Sequence, residues 1–149
     1  MKTLFAPIVV ACTLAALVPS IAPAAAGWTD NYSKAQAQSK SENKLLLLDF
    51  TGSDWCMYCQ KLNKEVFSTA EFKKYATDHL VLMEVDFPVT KELPQAVTAQ
   101  NEKLQSKYGI DIYPTVVVLN SMGKKVGEIG YQEGGPKAFI AELEKLKGK

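Results

Sequence analysis

Cys56 and Cys59 stand three positions apart, so a helix would place the two thiols within a single turn of each other. Sulfurs placed that way can close a disulfide with little backbone movement. An apolar run, Leu45 to Phe50, precedes them and reads as a buried strand, and after Cys56 the pattern turns helical. A Cys-x-x-Cys pair set between a strand and a helix reads as a redox-active dithiol. Cys56 would meet unpaired backbone N–H groups and the positive end of the helix dipole, both of which favour the thiolate. It is the expected nucleophile, and Cys59 the resolving partner.

Other chemistries fit the pair less well. A zinc site needs two more ligands, and beyond carboxylates only His79 remains. Haem attachment would need a histidine where Gln60 stands. Neither a metal nor a cofactor is therefore expected. A purely structural disulfide stays open as an alternative, although a loop this short removes only about 2 kcal/mol of unfolded-state entropy.

The elements that position the pair come from a chain of 149 residues, enough for one domain. Residues 1–26 read as a signal peptide: Met1-Lys2, an apolar run from Leu4 to Val18, then Ala24-Ala25-Ala26 with cleavage before Gly27. Pro7, Pro19 and the short run argue against a retained membrane span, and Cys12 leaves with the leader. Losing Lys2 leaves equal numbers of acidic and basic side chains, so no charge field points to nucleic acid or an anionic membrane. The expected location is periplasmic or secreted, where an oxidised pair persists.

Residues 27–149 then read as one domain in the order α-β-α-α-β-α-β-β-α. A first helix runs from Trp28 to about Asn43, followed by the strand Leu45–Phe50 with Asp49 as its polar misfit. The helix from Cys56 puts Cys59, Leu62 and Val66 on one face. Ser68 is read as a new N-cap, with Glu71 completing a capping box before a helix of about Thr69 to Asp78. Leu80–Asp86 is the next buried strand, with Glu84 as its misfit. A helix from about Thr98 to Tyr108 stops at Gly109, and Thr115–Leu119 pairs through a turn with Lys124–Tyr131. Gly134-Gly135-Pro136 opens a last helix striped by Phe139, Ile140, Leu143 and Leu146. Parallel crossovers followed by a hairpin predict a mixed sheet with helices on both faces.

The Trp55-Cys56-x-x-Cys59 motif after a buried, Asp-containing strand, the Tyr113-Pro114-Thr115 before a later strand, and the element order together resemble thioredoxin. The stretch Asp49 to Cys56 is most similar to exported bacterial thioredoxin-like proteins and to the C-terminal periplasmic domain of the membrane thiol–disulfide interchange protein. Three departures bear on redox potential rather than fold. Met57-Tyr58 replaces the Gly-Pro of cytosolic thioredoxin, the loop to Cys56 is one residue longer, and Glu84 stands where a lysine is usual.

The resemblance implies an α/β thioredoxin fold with an N-terminal helix extension, and an enzyme that reduces or exchanges disulfides. Asp49 would accept the proton of Cys59, with Glu84 sharing the task. Burial and like charge would raise at least one of these carboxyls. Trp55, Tyr58, Tyr113 and Pro114 would bind substrate, Pro114 through a cis Tyr113–Pro114 bond that aligns the substrate backbone. Expected partners are disulfide-containing exported proteins and a thiol–disulfide electron donor, soluble or membrane-embedded, with the protein itself a monomer. An isomerase or oxidase of the same fold, or a non-catalytic binding module, remains the alternative.

Overall fold

The computed structural model describes residues 27–147, so the predicted leader and Cys12 lie outside the described residues. Its elements are β1 (Trp28–Thr29), α1 (Tyr32–Glu42), β2 (Leu45–Thr51), α2 (Met57–Leu62), a π-helical turn (Asn63–Phe67) and α3 (Ala70–His79). They continue with β3 (Leu80–Asp86), α4 (Gln95–Tyr108), β4 (Thr115–Leu119), β5 (Lys125–Gly130) and α5 (Gly135–Leu146). The strands form one sheet in the order β1-β3-β2-β4-β5. β2 and β3 run parallel, whereas β4 runs antiparallel to both β2 and β5.

The two faces of the sheet divide the apolar side chains cleanly. Leu47, Leu80, Leu82, Val116 and Val118 meet Leu62, Val66 and Phe67 of the α2 region, Phe72 of α3, and Phe139 and Leu143 of α5. Leu46, Leu48, Phe50, Val81, Met83 and Val85 meet Ala35 of α1 and Leu104 of α4 on the other face. β2 and β3 are buried on both faces, which is why they read as nearly continuous apolar runs.

Alternation along these strands fixes the misfits. Asp49 shares a face with Leu47, and Glu84 with Leu80 and Leu82, so both point toward α2. The register pairs Asp49 directly with Glu84, and Thr51 with Asp86.

Three boundaries differ from the reading of the sequence. Trp28 and Thr29 are not helical but pair with Leu82 and Met83 as an edge strand. A two-residue strand has no periodicity to reveal it, and the helix starts only after Asn31, whose side chain caps Lys34 N–H at 2.9 Å. α4 begins at Gln95, directly after Pro94, rather than at Thr98. The N-cap of α3 is Thr69, not Ser68: Thr69 Oγ1 accepts from Phe72 N–H at 3.2 Å and donates to Val66 O at 2.6 Å. Ser68 instead donates to Asn63 Oδ1 across the π-helical turn, at 3.1 Å. That turn shifts the chain by one position relative to a regular helix, which local sequence pattern does not register.

These two hydroxyls make different predictions. Thr69→Ala should cost about 1 kcal/mol as a lost N-cap. Ser68→Ala should cost less than about 0.5 kcal/mol as a surface change. Urea midpoints of the two variants check the assignment, and an equal or larger loss at Ser68 would restore the original reading.

Candidate functional site

The loop from Gly52 turns the end of β2 into α2. Trp55 and Cys56 N–H both donate to Gly52 O, and a Cβ at Gly52 would collide with the Trp55 indole. Cys56 takes the N-cap position with extended φ/ψ, and its Sγ accepts from Cys59 N–H at 3.2 Å. The two cysteines form a disulfide with their Cα atoms 5.2 Å apart, and both are nearly buried. Trp55, directly before Cys56, is 49% exposed.

Below the disulfide lies a cavity of about 140 Å³. Asp49, Glu84 and Cys59 line it together, with Trp28, Asn63 and Phe67 among the other walls. The resemblance implied that the first three work together; the β2–β3 register and the alternation of both strands are what bring them to one space. Asp49 Oδ1 is buried and has no hydrogen-bond partner among the described residues. Burial first, then the carboxylates of Glu84 and Asp86, raise the Asp49 carboxyl from its ordinary value to about 8. Glu84, half-buried, is raised by desolvation and by Asp86, with Lys91 opposing. A neutral carboxyl needs no counter-charge, which fits the lack of any cation on Asp49 among the described residues.

The other expected residues fall into two groups. The Tyr113–Pro114 bond is cis, and the Tyr113 ring meets Trp55 edge-on at 5.7 Å. Gln105 Nε2 donates to Tyr113 Oη at 2.6 Å and holds that ring in place. Tyr58 packs on a different neighbour: its ring lies 5.4 Å from Tyr131, whose hydroxyl donates to Glu65. So Trp55, Tyr113 and Pro114 are associated with one side of the motif, and Tyr58 with the β5–α5 connection.

Several residues of the site were not visible in the sequence. Asp86 accepts from Ser53 N–H and Oγ at 2.9 and 2.7 Å and pairs with Lys91 at 2.8 Å. Asp54 accepts from Val89 N–H, Thr90 N–H and Thr90 Oγ1, which lowers its carboxyl to about 2. Trp55 Nε1 donates to Phe87 O at 2.8 Å. Together these bonds tie the cysteine loop to the segment after β3. Alternation from Glu84 could have pointed to Asp86; nothing local pointed to Asp54.

The buried carboxyl has a consequence for stability. From about pH 4, where an unfolded Asp titrates, to about pH 8, the folded chain holds a proton at Asp49 that the unfolded chain has lost. Raising the pH through that window therefore favours unfolding, by up to about 1.4 kcal/mol per pH unit for this group. Denaturant unfolding of the oxidised protein should show stability falling toward pH 8, and Asp49→Asn should flatten the slope. Parallel slopes for the two proteins would mean Asp49 is not the proton holder.

A model of the thioredoxin-like domain matches residues 32–147. The chain is 35% identical over 124 residues to the disulfide bond reductase DsbH of Chlamydia pneumoniae, across 83% of this chain and 74% of that protein. A solved structure titled DsbH oxidoreductase superposes with a TM-score of 0.77 at 33% identity, covering 87% of this chain and 89% of the other. The thiol:disulfide interchange protein DsbD of Pasteurella multocida is 29% identical over 115 residues, which are 75% of this chain but 18% of DsbD. With its Cys-x-x-Cys disulfide at the head of α2 and this homology to DsbH, the chain belongs to the thioredoxin-like family as a thiol–disulfide oxidoreductase.

Proposed function

We propose that the protein is a disulfide reductase for exported proteins, with Cys56 as nucleophile, Cys59 as resolving thiol and Asp49 as proton acceptor. The observation that carries this reading is the shared cavity: Cys59 and the raised carboxyl of Asp49 open onto the same space. The name of the Chlamydia relative, a disulfide bond reductase, supports the reductive direction.

In the reduced enzyme the N–H of Cys59 stabilises a Cys56 thiolate, which attacks one sulfur of a client disulfide. A bond forms between the two sulfurs, the client's own S–S bond breaks, and its other sulfur leaves as a thiolate that takes a proton from water. Cys59 then passes its proton to ionised Asp49 and attacks Cys56 Sγ. The intramolecular disulfide closes, and the client's second sulfur departs as a thiolate. Two electrons have moved from the enzyme to the client, and a dithiol donor must restore them. An acceptor raised to about 8 suits this task, because its proton affinity lies close to that of the thiol it serves. Glu84, paired with Asp49 in the strand register and lining both the cavity and the recess beyond it, is the group that would take the proton on toward solvent.

Trp55 and Tyr113 with cis-Pro114 supply the surface for the client backbone, and Tyr58 extends that surface toward Tyr131. The N-terminal stretch of residues 1–26 supports export to an oxidising compartment, where such clients occur.

Two measurements test the proposal. Equilibration of the Cys56–Cys59 pair against dithiothreitol should give a potential near about −270 mV, whereas one near about −120 mV would make the protein a disulfide donor. Asp49→Asn should slow release of client from the mixed disulfide by roughly 100-fold. An unchanged release rate and rate–pH profile would remove Asp49 from the mechanism.

A further inference from the structure

The cavity beneath Cys59 has a neighbour. A second recess of about 430 Å³ lies on the far side of two residues, Trp28 and Glu84, which line both spaces. Asp30, Lys34 and Lys91 face that outer recess and make it polar. The indole of Trp28 is held at this boundary from two directions. Its backbone pairs with Leu82 in β3, and its ring packs at 5.1 Å on Phe67 of the π-helical turn. Phe67 is in turn fixed by Phe72 and Phe139 at 5.0 and 5.5 Å. Trp28 is 37% exposed, so one side of the indole meets solvent while the other lines the inner cavity.

We propose that Trp28 is a positioning residue for the exchange reaction: it is the wall that screens the Asp49 carboxyl from the water of the outer recess, and through that screening it governs the proton step at Asp49. This rests on the role given to Asp49 above. The physical basis is that desolvation is the largest contribution holding the Asp49 proton, ahead of the charges of Glu84 and Asp86. Other groups around Asp49 do not substitute for the wall. β4 places Val116 opposite it, the π-helical turn offers neutral Asn63 and Phe67, and α2 offers Cys59. The cations Lys34 and Lys91 face the outer recess, beyond Trp28 and Glu84. Removing the indole would join the two spaces, hydrate Asp49 and let those cations, of which Lys91 already acts on Glu84, act on Asp49 as well. All three effects favour the ionised form of Asp49.

The test uses the oxidised protein with carbon-13-labelled aspartate, titrated by NMR, with Asp49→Asn identifying the resonance. Trp28→Ala should lower the Asp49 midpoint by about one pH unit or more, and Trp28→Phe, which keeps an aromatic wall, should retain most of it. In the reduced enzyme the midpoint of the client-release rate should fall with it. An Asp49 midpoint unchanged in a folded Trp28→Ala protein would overturn the proposal, as would a release profile that stays put while the carboxyl moves. Should Trp28→Ala not fold, Trp28→Leu replaces it with the same two criteria. The NMR titration reads Asp49 whichever way electrons flow, so a potential that defeats the reductase reading leaves this result separately legible.

Discussion

The parallel register of β2 with β3 is the constraint on which the site depends. It sets Asp49 against Glu84 and Thr51 against Asp86, all at the strand ends that lead into the cysteine loop and the segment after β3. Side chains alternate between faces, so a slip of one residue would turn the carboxyls away from α2 and put apolar side chains beneath the cysteines. The two layers of apolar packing prevent such a slip, because each face of each strand already has a buried partner.

That register has a cost, which is the burial of acidic groups with no matching cation at Asp49 among the described residues. A charged carboxylate there would be expensive, so the group holds its proton well above the usual carboxylate range. Buried carboxyls in this state reduce the stability of the fold at neutral and alkaline pH, a common exchange of stability for function. Asp86 shows the opposite solution on the same face: with Ser53 and Lys91 as partners, its carboxylate is fully accommodated. Neighbouring acids on adjacent strands thus do different work because Asp86 has donors and Asp49 Oδ1 has none among the described residues.

Around this centre, loops are held by hydrogen bonds as well as by aromatic packing. Asp54 gathers Val89 and Thr90, Trp55 reaches Phe87 O, and Asp86 receives Ser53, so the cysteine loop and the β3–α4 connection form one unit. The exposed Trp55 ring is therefore fixed although half of it meets solvent, and Gly52 leaves the space it occupies. A side chain held that way loses little freedom when a client docks on it.

The sequence by itself determined the features that arise from neighbours along the chain. The spacing of Cys56 and Cys59, the apolar runs of β2 and β3, the stop at Gly109 and the stripe of α5 are all local patterns, and the helices and strands follow them closely. Asp49 and Glu84 stood out because each interrupts an apolar run. Tertiary structure decided what those residues face. It joined Asp49, Glu84 and Cys59 in one cavity, packed Tyr58 on Tyr131, and made an edge strand of Trp28, which reads locally as the start of a helix. It also chose Thr69 over Ser68 as the cap, through a π-helical turn that changes the phase of the chain. These outcomes rest on contacts between residues far apart in sequence, such as the pairing of Trp28 with Leu82, and no local periodicity records them.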